Sequence, residues 1–154
     1  MSKFAESTSV SSEKSRAEIE RTLSRYGADQ FMYGWQEDYA MVMFRMNSRQ
    51  IKFLLPLPDN NGAEFTKTPT GKERSQEAAM KAFEQSVRQK WRALALVIKA
   101  KLEAVESGIA EFDDEFMANI IMPDGKTVSE HIAPKINQAY ETGELPPLLP
   151  RSKE

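Results

Sequence analysis

The chain contains one histidine, His131, and no cysteine, which narrows the chemistry open to it. Thiolate nucleophiles, disulfide frameworks and Cys-based zinc or iron–sulfur sites are all excluded. His131 follows the pair Thr127 and Glu130 and precedes Ile132. A lone imidazole builds no His-rich metal site, and this one reads as a surface or half-buried helical side chain. Carboxylates gather at Glu111, Asp113, Asp114 and Glu115, with Glu103 and Glu106 upstream. Glu111 and Glu115 are helical neighbours that could offer oxygen ligands to a divalent cation. No second element supplies further ligands, so the segment reads as a solvated acidic face. Gly71-Lys72 and Gly125-Lys126-Thr127 resemble the end of a phosphate loop, but Thr66 and Ile120 occupy the positions of the first glycine that loop requires. No acid, base and nucleophile set can be named. The expectation is a protein that is not an enzyme and has no catalytic residues, no metal site and no cofactor.

The arrangement that stands out is electrostatic. Lys81, Arg88, Arg92 and Lys99 fall at offsets of 0, 7, 11 and 18. At about 100° per residue those offsets lie within about 20° of one line along a helix. Thr66 to Lys101 holds nine Lys or Arg against three Glu, whereas Leu102 to Glu130 holds one Lys against eight acids. A formal net charge of -2 thus conceals two oppositely charged segments. The basic stripe could follow a nucleic-acid backbone, with Lys67, Lys72 and Arg74 adding contacts and Tyr33 or Trp35 stacking on bases. Equally, these cations could pair with Glu77 and Glu84 and keep an exposed face hydrated, and the aromatics could belong to the core.

The elements that would position these groups follow from periodicity. Ile19, Leu23 and Tyr26 mark an amphipathic helix beginning near Ser12, with Ser15 and Glu18 as a capping box and Gly27 as its stop. Phe31, Tyr33 and Trp35, then Ala40 to Met46, then Ile51 to Leu57 alternate as three strands. A two-residue turn at Asn47-Ser48 would set Met46 against Arg49, Phe44 against Ile51 and Val42 against Phe53. The other sheet face, with Met41, Met43, Leu54, Arg45 and Lys52, is mixed and awaits some cover. Residues 58–74 lack periodicity and read as a long, mobile or functional loop.

Ser75 can cap a helix from Gln76 to Ser107, on which Phe83, Val87, Trp91, Leu94, Ile98, Leu102 and Val105 form an apolar stripe. Such a helix would be on the order of 45 Å long, so it bends or protrudes toward a partner. Leu96 and Val97 lie off the stripe, and a homodimer would cover them. After Gly108, Ile109 to Ile120 continue the helical pattern, and Thr127 with Glu130 can cap a last helix. Pro134 suggests a short turn and a helix starting close to it, with Ile136 and Tyr140 inward and Gly143 as the stop. The expected fold is α+β: a three-stranded antiparallel meander packed against an N-terminal helix and a long helix, with two shorter C-terminal helices.

At 154 residues with 40% hydrophobic content, one core is expected, spanning residues 12–143. Residues 1–11 read as a disordered tail, and residues 144–154 as an extended proline-rich tail that either docks a partner or straps the domain's own core. No apolar run reaches the length of a signal peptide or membrane helix, so no membrane association and a cytoplasmic location are expected.

Phe31-Met32-Tyr33-Gly34-Trp35, Trp91-Arg92-Ala93-Leu94 and Ile98-Lys99-Ala100-Lys101-Leu102-Glu103-Ala104-Val105-Glu106-Ser107-Gly108 resemble a family of small uncharacterised proteins encoded by phages and prophages. The resemblance runs from about Ser11 to Pro150 and implies a protein acting inside a bacterial cell, without implying a mechanism. Two functional readings stand beside it. The first is an accessory protein binding nucleic acid through Lys81, Arg88, Arg92, Lys99, Lys72 and Arg74. The second is a protein-binding module, such as an inhibitor of a host or defence protein, in which Glu111, Asp114 and Glu115 imitate a phosphate surface.

Overall fold

Asn47 and Ser48 both adopt positive φ, 52° and 59°, which is the backbone a two-residue hairpin turn needs to match the twist of its strands. In this computed structural model, which describes Ala5 and residues 8–149, that turn joins β2 (Tyr39–Met46) to β3 (Arg49–Pro56). Phe44 opposes Ile51 and Val42 opposes Phe53, as the alternation predicts. β1 (Gln30–Trp35) pairs antiparallel with the far side of β2, which gives the sheet order β1-β2-β3.

One sheet face carries Ala40, Val42, Phe44, Met46, Ile51, Phe53 and Leu55, all buried. Two helices cover it. The first, α1 (Ser12–Arg25), contributes Ile19 and Leu23. The long helix contributes Trp91, Leu94, Ala95, Ile98 and Leu102 and runs unbroken over Gln76–Glu106. A helical turn, α2 (Ala63–Thr66), precedes it, so the long helix is α3. After it come α4 (Phe112–Phe116), a 3-10 turn (Met117–Asn119) and α5 (Val128–Thr142). Phe116 closes one end of the core by standing edge-on to Phe44 and Phe53 at 5.9 and 6.3 Å. The architecture is the expected α+β one, and no helix among the described residues is long and apolar enough to cross a membrane.

Several local expectations are corrected. Ser11, not Ser15, caps α1 by accepting from the Lys14 N–H at 3.2 Å. Ser15 lies one turn inside, buried, and its hydroxyl has no hydrogen-bond partner among the described residues. The loop at 58–74 is organised: Phe65 of α2 is buried edge-on to Phe83 at 5.6 Å, and the backbones of Lys67 and Glu73 form an isolated antiparallel β-bridge. The last helix begins at Val128 despite Pro134, because Thr127 caps it by accepting from the Glu130 N–H at 3.1 Å. Proline there removes one backbone bond without ending the helix.

Ile136 and Tyr140 do not face inward. They are 48% and 88% exposed, and no residue of α5 is buried. Leu145, Leu148 and Leu149 are exposed as well, so the described part of the C-terminal tail does not strap the core. The expected N-terminal tail is partly docked: Ala5 is buried, and the Thr8 carbonyl accepts from Gln85 Nε2 at 2.8 Å. For residues 1–4, 6–7 and 150–154 the tail expectations lie outside the described residues.

Candidate nucleic-acid interface

α3 is unevenly buried along its length. Its first two turns, to Ala82, bury no residue, and burial begins at Ser86. The four cations of the predicted stripe therefore sit in different surroundings. Lys81 is on this unburied N-terminal end, 75% exposed, with Glu77 one turn away at 3.4 Å. Arg88 is half-buried and donates through Nε and Nη2 to Gln85 Oε1 at 3.0 and 2.6 Å. Arg92 is paired with Glu18 of α1. Lys99 is exposed and makes no ion pair among the described residues. The two central arginines are thus committed to neighbours within the chain, Lys81 has Glu77 as its ion-pair partner, and of the four only Lys99 is without an ion pair among the described residues.

Packing of α1 on α3 adds cations that the stripe alone did not contain. Thr8 bonds Gln85, Glu18 pairs with Arg92 and Tyr26 donates to Glu103, so partner numbers climb together and the helices run parallel. The sequence separations are 77, 74 and 77 residues, which puts Lys14 level with Arg88 and Arg25 level with Lys99 to within a turn. Lys14, Arg21 and Arg25 fall within about 20° of one line on α1. That line is about 40° from Glu18, which touches α3, and roughly 140–180° from the buried Ile19 and Leu23. These three cations therefore border the α1–α3 groove on its solvent side, where all three are exposed without an ion-pair partner among the described residues. Of the carboxylates along the groove, Glu18 is neutralised by Arg92, Glu103 accepts from the Tyr26 hydroxyl and Glu13 pairs with Arg16, while Glu84 lines a depression with Ser11, Ser12 and Arg88 at the start of α1. The Glu103 hydrogen bond and negative charge hold that phenol above its ordinary pKa.

An aromatic cluster lies on the other side of α1. Arg16 places its guanidinium 5.2 Å from the Tyr33 ring centroid and 5.0 Å from that of Trp91, and the two rings meet edge-on at 6.4 Å. Trp91 is buried, Phe31 half-buried, Tyr33 46% exposed and Trp35 75% exposed. The row along β1 passes from core to surface because it lies at the sheet edge, where fewer atoms cover it. Around Trp35 the chain is acidic: Glu37, Asp38 and Asp59 line an open depression of about 690 Å³ with Asn60, Asn61 and Phe83. That charge opposes a phosphate backbone there, and it separates Trp35 from the basic groove.

The loop cations are not part of the groove either. Arg74 donates to the carbonyls of Glu64 and Phe65 at 3.4 and 3.3 Å, which ties the loop to itself. Glu64 lines a depression with Ser86 and Lys90. Those two α3 residues lie about 120° and 160° round the helix from Arg92. Lys72 and Arg74 thus belong to the opposite flank of α3.

The acidic segment is likewise divided. Glu115 lies 3.4 Å from Lys101 Nζ, and its carbonyl accepts from the same ammonium at 3.0 Å. Asp113 pairs with Arg49 at 3.2 Å, while Glu111 and Asp114 remain exposed. His131 is half-buried and places Nε2 2.7 Å from Asp124. The Lys126 backbone N–H, and then His131, hold the Asp124 carboxyl below its usual range. No group of three His, Cys, Asp or Glu side chains among the described residues is placed to hold a metal ion.

Comparison with known proteins finds no matching family model, no matching curated protein and no matching solved structure.

Proposed function

We propose that the chain is a non-enzymatic accessory protein of phage type that binds nucleic acid along the α1–α3 groove. The observation that carries this reading is the parallel packing of two helices with basic stripes, which lines up Lys14, Arg21 and Arg25 beside Arg88, Arg92 and Lys99. Cations held this way release counterions from a phosphate backbone when they bind it.

The test is fluorescence anisotropy of labelled single-stranded and duplex oligonucleotides against salt. If the four exposed cations Lys14, Arg21, Arg25 and Lys99 each meet one phosphate, the logarithmic salt slope is about -3 for single strands and about -3.6 for duplex. Each reversal to Glu lowers the slope by roughly one contact. No binding at low salt, or binding unchanged by all four reversals, removes this reading.

One observation favours the second reading, a protein-binding module such as an inhibitor of a host or defence protein. α5 buries no residue, yet Val128, Ile132, Ile136 and Tyr140 recur every fourth position along it. Val128 and Ile132 are half-buried, which leaves Ile136 and Tyr140 exposed one turn apart, as an apolar pair on a helix that could enter another protein's groove. Ile136→Lys with Tyr140→Lys would abolish such binding and leave the anisotropy titration unchanged.

A further inference from the structure

The two edges of the sheet differ. Along β3 the chain returns to cover the edge: Ile120 bridges Ile51, the Ile121 N–H donates to the Gln50 carbonyl at 2.8 Å, and Asn119 Nδ2 donates to the Lys52 carbonyl at 3.0 Å. β3 also ends in Pro56, which cannot extend a ladder. β1 is the opposite edge and reads Gln30-Phe31-Met32-Tyr33-Gly34-Trp35, with no charge and no proline. Among the described residues it pairs with β2 alone. Edge strands left in this state are templates for another strand.

The Gln36 N–H donates to the Tyr39 carbonyl at 2.7 Å. By the alternation of an antiparallel ladder, Gly34, Met32 and Gln30 then direct their backbone groups to β2, and Phe31, Tyr33 and Trp35 direct theirs outward. We propose that β1 is an interface for a second copy of this chain, which pairs antiparallel about a two-fold axis at Tyr33 to make one six-stranded sheet. This inference goes beyond the nucleic-acid reading and does not rest on it.

The strand is complementary to itself in that register. Tyr33 opposes the partner's Tyr33, and Phe31 opposes the partner's Trp35, so aromatic side chains meet across the axis on one face. On the other face Met32, 56% exposed, opposes the partner's Gly34, and Gly34 has no atom within 4 Å of where a Cβ would stand. With no charge in β1, no like charges oppose each other when the strand meets itself, and nothing in it selects a charged peptide instead. Exposures of 75% for Trp35 and 46% for Tyr33 leave roughly 180–300 Å² of aromatic surface per copy to cover, taking about 150–250 Å² for a whole ring side chain. These two side chains supply part of the roughly 800 Å² per partner of a standard stable interface, and the expected dimer is a weak one at the small end of interface sizes.

Sedimentation velocity of the full chain from about 1 to 200 µM reads the equilibrium directly in the range expected for a small interface. The expected result is a monomer–dimer transition that Met32→Lys and Trp35→Lys each weaken roughly tenfold or more, since each introduces a charge into the paired strand. Both positions are exposed in the single chain, so neither substitution threatens its folding. Because the chain has no cysteine, Tyr33→Cys gives a clean second readout: mild oxidation cross-links two copies, while Leu54→Cys on β3 does not. A monomer throughout the concentration range overturns the proposal. So does a dimer that survives both lysine substitutions and is instead lost in Ile136→Lys with Tyr140→Lys, because that interface would lie on α5.

Discussion

Replacing Trp91 with alanine removes the largest side chain on the buried face of α3. Trp91 is 3% exposed, touches Tyr33 edge-on and carries the Arg16 guanidinium on its ring. About 200 Å² of ring surface at ~25 cal/mol per Å² amounts to about 5 kcal/mol. A denatured chain that already buries roughly 10–40% of such surface lowers this to about 3–4.5 kcal/mol. Loss of the Arg16 contact adds about 0.5–1 kcal/mol, and partial collapse of the cavity returns some of it. The expected loss is about 3–5 kcal/mol, a large fraction of the roughly 5–15 kcal/mol available to a domain of this kind.

Urea denaturation followed by far-ultraviolet circular dichroism measures this loss. The wild type and variant should share one m-value, because both expose the same chain on unfolding. Fluorescence supplies an internal check: Trp35, the remaining tryptophan, is 75% exposed, so the variant's emission should change little on unfolding. A loss below about 1 kcal/mol at unchanged m would refute the placement of Trp91 between α1, β1 and the core.

Three further outcomes are expected. Reversing Lys14, Arg21 and Arg25 to Glu should change folding stability by no more than about 0.5 kcal/mol each while removing oligonucleotide binding, whereas Lys72→Glu on the far flank should leave binding intact; thermal melts and anisotropy separate the two effects. Pro134→Ala should raise amide-exchange protection along α5 without moving the global melting transition, because a helix with no buried residue is weakly coupled to the core. Acid should destabilise the fold below about pH 4.5. Asp29, bonded to Arg45, and Glu130, bonded to Lys52, have carboxyl groups held below their ordinary values in the folded state. Their contribution is present above the unfolded pKa and is lost as pH falls through the folded one. Asp29→Asn or Glu130→Gln should therefore flatten the pH dependence of the melting temperature between pH 6 and pH 3.

The three strands were legible because strand alternation has period two, and once Asn47 and Ser48 are taken as a two-residue turn every β2–β3 partner follows. The long helix was legible because no Gly or Pro interrupts Gln76 to Glu106 and Ser75 stands where a cap must be. The α1 cap was misplaced by one turn because Ser11 and Ser15 are both able to accept an amide, and only burial of Ile19 decides which turn lies inside.

The candidate site was half legible. Lys14, Arg21 and Arg25 show on α1 the same 0, 7, 11 spacing that marks Lys81, Arg88 and Arg92 on α3. Nothing local says that two helices separated by a whole sheet will lie parallel and in step. The sequence by itself determined the three strands, the hairpin register, and the long helix with its Ser75 cap, since these depend on neighbours within a few residues. Only the tertiary structure decided that Arg92 is neutralised by Glu18, that Lys72 and Arg74 stand on the far flank, that α5 buries no residue and that β1 is the open edge. Each of these depends on which surfaces meet, and contacts between residues distant in the chain are set by the packing of the whole core rather than by any local pattern.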